Sequence, residues 1–149
     1  MLNKSNSIKL KSPKNKKELE DYFYFRWYYL RRKFSKNIES AKDDLENNCH
    51  HIMALYNNKI VGVGRVHSVD KNTSQIRYMA VGGNMRLNGV GTKILKDLIN
   101  KATLSNKKKV ILHSRENAID FYKKNGFILI EKSHKIFNSI QHFLMEKAI

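Results

Sequence analysis

The residues best suited to chemistry sit at a junction in the middle of the chain. Gly82-Gly83-Asn84-Met85-Arg86-Leu87-Asn88-Gly89-Val90-Gly91 leads from an extended-looking segment into a helix-like one. Glycines at 89 and 91 let backbone N–H groups approach an anion with no Cβ in the way. The first turn of a following helix adds unpaired donors and the positive end of its dipole. Arg86 contributes a formal charge. These residue types in this order predict a cradle for a diphosphate. A Walker loop does not fit, because Gly91-Thr92-Lys93 has the lysine and the hydroxyl residue in the wrong order. A dinucleotide fingerprint requires a third glycine that this register lacks. The plainer alternative is a glycine-rich turn that only starts a helix.

The flanking pattern predicts the elements that hold this loop. Upstream, Ile76, Tyr78 and Ala80 alternate with Gln75, Arg77, Met79 and Val81, the period of a strand. Downstream, Val90, Ile94, Leu95, Leu98, Ile99 and Ala102 recur at helical spacing, with Lys93, Lys96 and Lys101 on the other side. A second constellation follows in Ala118-Ile119-Asp120-Phe121-Tyr122-Lys123-Lys124-Asn125-Gly126-Phe127. Ala118, Phe121 and Tyr122 share a helical face, and Gly126 supplies the left-handed residue that ends the helix. Taken alone, Tyr122 would be a core aromatic with its hydroxyl at the rim.

Arg86-x-x-Gly89-x-Gly91 after a strand, followed by Ala118-x-x-x-Tyr122-x-x-x-Gly126-Phe127, resembles the GNAT superfamily of acyl-CoA-dependent N-acetyltransferases. Generic bacterial members share segments like Tyr29-Leu30-Arg31-Arg32, Gly62 to His67 and Gln75 to Val81. The resemblance covers nearly the whole chain. It implies an α/β (α+β) GNAT fold, a mixed central sheet of six to seven strands splayed at the acyl-CoA site and flanked by helices, with residues 1–149 forming one domain. It implies acetyl-CoA as co-substrate and transfer of its acetyl group to the primary amine of an unidentified acceptor. Backbone groups of Met79, Ala80 and Val81 would pair with the pantetheine arm and polarise the thioester. Donors from Arg86, Leu87, Asn88, Gly89, Val90, Gly91 and Thr92 would hold the pyrophosphate, and Tyr122 would protonate the departing thiolate.

Two positions depart from the family pattern. Where the histone-acetylating branch has a glutamate base, this chain has Gln75, which cannot accept a proton at neutral pH. His67, His113 and His142 are the candidate bases, since imidazole titrates near pH 6.5; the alternatives are a water chain or simple capture of the free amine. Where many relatives place a coenzyme-contacting asparagine, this chain has Arg115, with Asn117 two residues later; either takes the contact, and Arg115 equally suits the adenosine phosphate. The missing base also suits a non-catalytic acyl-CoA sensor.

Composition bounds the remaining classes. At 149 residues the chain can bury a core, and its single cysteine, Cys49, excludes an intramolecular disulfide. No apolar run approaches the ~20 residues of a membrane span. The start resembles no secretory signal, so cytoplasm is the expected compartment. The expected state is a monomer or homodimer. Cys49-His50-His51 predicts no metal, because sequence neighbours seldom converge on one ion. A net charge of +16, with Lys4, Lys9, Lys11, Lys14, Lys16 and Lys17 crowding the start and Lys107 to Lys109 clustered, also suits a basic nucleic-acid-binding module, though no RNA-binding signature accompanies it.

The coarse order is β-α-β-β-β-α-β-α-β-β. A first strand spans Ile8 to Lys11. A helical stripe runs through Leu19, Tyr22, Phe23, Trp27, Leu30 and Phe34, with Arg31, Arg32 and Lys33 compensating its dipole. Residues 36–49 form a polar loop or short helix. Ile52 to Tyr56 and Ile60 to His67 form a hairpin turning at Asn57-Asn58. After the long helix come a strand at Val110 to His113, the tyrosine helix, and strands near Phe127 to Ile130 and His142 to Glu146.

Overall fold

The computed structural model describes residues 7–149, apart from the side chains of Arg86 and Leu87. Lys4 of the basic N-terminal cluster lies outside the described residues.

One seven-stranded sheet carries the architecture, in the spatial order β1-β2-β3-β4-β5-β7-β6. In chain order the elements are β1 (Lys9–Lys11), α1 (Lys16–Leu30), β2 (His50–Tyr56), β3 (Lys59–Ser68), β4 (Thr73–Val81), α2 (Val90–Leu104), β5 (Lys109–Arg115), α3 (Ile119–Lys124), β6 (Ile128–Ile136) and β7 (Ile140–Ala148). The order and the mixed α/β class are those the sequence predicts. Only β4 and β5 pair in parallel; the other neighbours are antiparallel. Asn57 (φ 52°) and Asn58 (φ 61°) make the two-residue turn between β2 and β3, where asparagine tolerates the left-handed conformation a tight hairpin needs.

The two long helices cover opposite faces. Alternation along β2 sends Ile52 and Ala54 to the α2 side, where Val90, Ile94, Leu95, Leu98 and Ala102 are buried. Met53 faces α1, where Tyr22, Val63 and Ala80 complete a smaller cluster. Each fully buried aliphatic side chain of α2 contributes about 1.5–3 kcal/mol relative to exposure. That burial fixes the helix and with it the loop at its start.

Two expectations are corrected. First, α1 ends at Leu30 and its fully buried centre is Tyr22 and Arg26 rather than an apolar stripe to Phe34; Phe34 instead stacks on Phe137 at 5.3 Å. Arg31 is the residue that closes α1, its N–H donating to the Trp27 carbonyl at 2.8 Å. Second, β6 and β7 form a hairpin longer than the predicted pair. Most of β6 is exposed, so it carries no alternation of apolar and polar residues from which its length could be read. Residues 36–49, expected as a polar loop or short helix, contain two short 3-10 turns, Ile38–Ala41 and Glu46–Asn48.

Candidate active site

The site begins where β4 and β5 part. They pair only from Thr73 with Lys109 to Ile76 with Leu112. Beyond Ile76 a bulge disturbs β4: its register against β3 shifts between Val63 and Arg65, and Tyr78 stands at φ 58°. A bulge sharpens the local twist and bends the strand, and a non-glycine residue held at positive φ is strained backbone of the kind that gathers at functional sites. The β5-facing edge of 77–81 therefore has no strand beside it. A cleft of about 580 Å³ opens there, lined by Met79, Ala80 and Val81 on one side and by His113, Ser114 and Arg115 on the other.

One end of this cleft is the glycine loop. Gly83–Asn88 form a 3-10 turn, Gly89 turns left-handed at φ 74°, and α2 begins at Val90 with no side chain capping it. The Lys93 N–H reaches the Gly89 carbonyl at 3.1 Å, closing the first α-turn. The earlier N–H groups of a helix have no intrahelical partner, so without a cap they are free for an outside acceptor. Gly89, Gly91 and Thr92 line the cleft, and Asn88 is half-buried beside it. A Cβ at Gly91 would stand 3.1 Å from Phe121 Cζ, so this glycine also sets the approach of α3. The Val90 side chain is fully buried in the core and offers the cleft only its backbone. The side chains of Arg86 and Leu87 lie outside the described residues.

Tyr122 enters from α3. That helix ends as the sequence predicts: Gly126 has φ 90°, with its N–H on the Lys123 carbonyl and the Phe127 N–H on the Tyr122 carbonyl, each at 3.0 Å. This Schellman arrangement satisfies the last carbonyls and points the chain into β6. The Tyr122 ring is buried between Phe121 and Phe127, and its hydroxyl donates to Met79 Sδ at 3.7 Å. Burial raises its pKa well above the ordinary tyrosine value.

The α1 side of the cleft is built from different chemistry. Gln75, Arg31, Arg77, Arg115, His113, His134 and His142 all line it. The histidines form a row, with ring centroids 5.0 Å apart from His113 to His134 and 4.8 Å from His134 to His142. Burial lowers the pKa of each, that of His142 to about 4, so all three are uncharged at neutral pH. His142 Nδ1 lies 3.1 Å from the Ile140 carbonyl, which can only accept; Nδ1 therefore carries the proton and Nε2 is left as an acceptor. His113 Nδ1 is 2.9 Å from Ser133 Oγ. Arg115 donates to the Leu30 carbonyl at 2.8 Å, while Asn117 lines the cleft two residues on.

Of the sequence candidates, then, His113 and His142 come together and His67 does not. His67 lies beside Arg65, 3.2 Å from its guanidinium, and faces a separate shallow pocket. His134 was not among the candidates. It is an exposed residue in a strand with no periodic signal, and only the β6–β7 pairing brings it to His142. Cys49, His50 and His51 diverge: the cysteine donates to the Leu45 carbonyl, His50 pairs with Asp97 at 2.9 Å, and His51 meets Tyr22 at 2.9 Å. Among the described residues no three His, Cys, Asp or Glu side chains are placed to hold a metal ion, and no helix is long and apolar enough to cross a membrane.

A mixed α/β sheet splays beside an uncapped, glycine-opened helix start, and comparison with known proteins identifies the family. Residues 13–149 match the acetyltransferase (GNAT) domain family. The uncharacterized N-acetyltransferase YjcF of Bacillus subtilis strain 168 is 31% identical over 134 residues, covering 90% of this chain and 95% of its own. The chain belongs to the GNAT acetyltransferase family. A GNAT-family acetyltransferase from Staphylococcus aureus Mu50 superposes with a TM-score of 0.79 at 20% identity, covering 95% of this chain and 99% of its own. A GNAT-family acetyltransferase from Elizabethkingia anophelis, solved with acetyl-CoA bound, does so with 0.74 at 18% identity, covering 99% and 100%. At those identities the two structures establish the fold. Family membership supports acyl transfer from acetyl-CoA as the general reaction class.

Proposed function

We propose that this protein transfers the acetyl group of acetyl-CoA to a primary amine by direct attack within the β4–β5 cleft. The observation that carries the reading is the convergence, on one cleft, of the uncapped start of α2 and a buried tyrosine hydroxyl already directed at a sulfur atom. The coenzyme supplies an activated thioester; the rest is done by this chain. Backbone donors from Arg86 to Thr92 hold the pyrophosphate, and the open edge of Met79, Ala80 and Val81 pairs with the pantetheine arm and polarises the carbonyl. Asn117, which lines the cleft, takes the remaining coenzyme contact.

Proton handling follows from the pKa directions. Gln75 cannot act as base. His113, uncharged and in the cleft, accepts the amine proton; His142, lowered to about 4, is too weak a base to hold it, and His67 has no part because it faces away. Tyr122 stays protonated throughout, and a phenol above its usual value cannot fully surrender a proton to an alkyl thiolate whose conjugate acid lies near ~8.5. Its role is to donate a hydrogen bond to the sulfur as charge develops there.

The absence of a carboxylate at position 75 also favours a second reading, an acyl-CoA-binding domain without turnover. Calorimetric titration with acetyl-CoA, followed by thiol release in the presence of a panel of amines, separates the two. The expected result is binding in the wild type, thiol release with at least one amine, and a Gly89→Glu variant that binds at least about a hundredfold more weakly, because it sets a carboxylate among the N–H donors and strains a left-handed residue. A well-folded wild type that fails to bind acetyl-CoA would overturn both readings; binding without release across the panel would leave the sensor.

A further inference from the structure

The cleft is cationic on the face away from the glycine loop, and part of that charge is unmatched. Five guanidinium groups, Arg26, Arg31, Arg65, Arg77 and Arg115, gather around Tyr78 and the end of α1. Two carboxylates answer them: Asp43 pairs with Arg65 and Arg77, and Glu46 with Arg26 and Arg65. Among the described residues Arg31 and Arg115 meet no carboxylate. Both donate instead to backbone carbonyls, each to that of Leu30, at 3.2 and 2.8 Å, and Arg31 also to that of Ser40 at 3.3 Å. Arg31 is only 6% exposed, yet it lines the cleft. No Asp or Glu lines the cleft among the described residues.

An ionised group taken out of water without a counter-charge is costly, and a guanidinium has five N–H donors, of which these contacts use few. Burial chiefly, and the crowding of neighbouring guanidiniums in lesser part, lowers Arg31 to about 10. The phosphates of the coenzyme do not resolve this crowding in the reading above, because they occupy the α2 side of the sheet and Arg31 closes α1 on the other. The neutral histidines beside the pair add hydrogen-bonding groups without adding charge.

We infer that the acceptor amine carries an anionic group, a carboxylate or a phosphate, which docks between Arg31 and Arg115 while the amine faces the thioester. Polycationic amines are excluded by the same charges. The identity of the docking group as part of an acceptor rests on the acyl-transfer reading; the anion site itself does not. A fork of N–H donors on a carboxylate or phosphate is a charge-assisted, two-point contact that also fixes orientation.

The test uses protein saturated with coenzyme A, so that the glycine loop is already filled. Calorimetry compares O-phosphoethanolamine with ethanolamine, and amino acids with their amides, alongside spermidine; the same amines are then assayed for thiol release with acetyl-CoA. An anionic compound is expected to bind at least about tenfold more tightly than its neutral partner, with the two series distinguishing phosphate from carboxylate. Arg31→Gln should collapse that ratio. Because Arg31 is buried and closes a helix, His134→Glu provides a second variant at an exposed strand position, and it should lower the ratio by placing a carboxylate in the cleft. If no anionic compound outbinds its neutral partner, or spermidine binds best, the inference is overturned. Anion preference without thiol release from any amine would uphold this site and reject the transferase reading.

Discussion

Tyr122 is held by packing rather than by polar partners. Its ring stands edge-on to Phe121 and Phe127, and among the described residues its hydroxyl has only the Met79 thioether to donate to. Such a weak acceptor is easily exchanged for a developing thiolate. Removing the hydroxyl should therefore leave coenzyme binding alone and slow the chemical step: Tyr122→Phe is expected to lower kcat by roughly tenfold or more with KM for acetyl-CoA unchanged, the pattern of an interaction made chiefly in the transition state. Steady-state thiol release checks this, and an unchanged kcat would remove the role. The tyrosine's place on its helix was legible from the glycine terminus and the next strand, while its chemical role came from the family resemblance. Arg31 and His134 were not legible. The first reads as one of three cations suited to a helix end, the second as a polar strand residue, and both acquire their place only from contacts with residues far away in the chain.

Among the elements, β3 and α2 set how well the loop is aimed. Gly62 and Gly64 face α2 so closely that a Cβ on either would lie 2.7 Å from an Ile94 methyl group. Their absent side chains let the helix rest on the strand, which fixes the height of Gly89 and Gly91 above the cleft. Ile94 is fully buried and has no room to retreat. Gly62→Val should consequently destabilise the fold by about 1–3 kcal/mol, the usual cost of overpacking a closed core, and weaken coenzyme binding by lifting α2. Urea denaturation would register the first effect, with an unchanged midpoint counting against the close approach. Pattern revealed most of the elements: α2 and β4 by their periods, the β2–β3 hairpin by its paired asparagines, α3 by its glycine. The bulge at Tyr78 had no such signal, because the residue looks like any alternating member of β4; its unusual φ arises from pairing with β3, and pairing is not written in one strand alone.

At the scale of the molecule, the 36–49 segment has the farthest reach. Its sequence suggests a polar loop or short helix, but it carries the two carboxylates that join α1 to β3 and β4. Asp43 takes a two-point contact from Arg65, at 2.7 and 2.9 Å, and a further bond from Arg77 at 2.7 Å; Glu46 accepts from Arg26 at 2.9 Å and Arg65 at 3.0 Å. Arg26 and Arg65 are wholly buried, so each depends on these partners. Burial alone would raise the Asp43 pKa; the Arg65 hydrogen bond, the Leu45 N–H and the charges of Arg65 and Arg77 outweigh it and hold the carboxyl well below its usual range. The folded chain thus keeps Asp43 ionised where the unfolded chain has protonated it. Its stabilisation is complete above about pH 4 and is lost as pH falls further. His142 acts in a higher window. Lowered to about 4 in the fold, it refuses a proton that the unfolded chain takes up from near pH 6.5 downward, so stability declines across that interval too. Two variants should separate these effects in denaturation curves collected from pH 8 to pH 3. Asp43→Asn should cost roughly 2–4 kcal/mol at neutral pH, by leaving a buried guanidinium without its charged partner, and that difference should stay level to about pH 5 and shrink below pH 4. His142→Gln should make the decline between about pH 6.5 and pH 4 shallower, the other lowered histidines supplying the rest, and leave the lower one in place. A penalty for Asp43→Asn as large at pH 3 as at pH 7 would mean that the carboxylate charge does not hold this segment to the sheet.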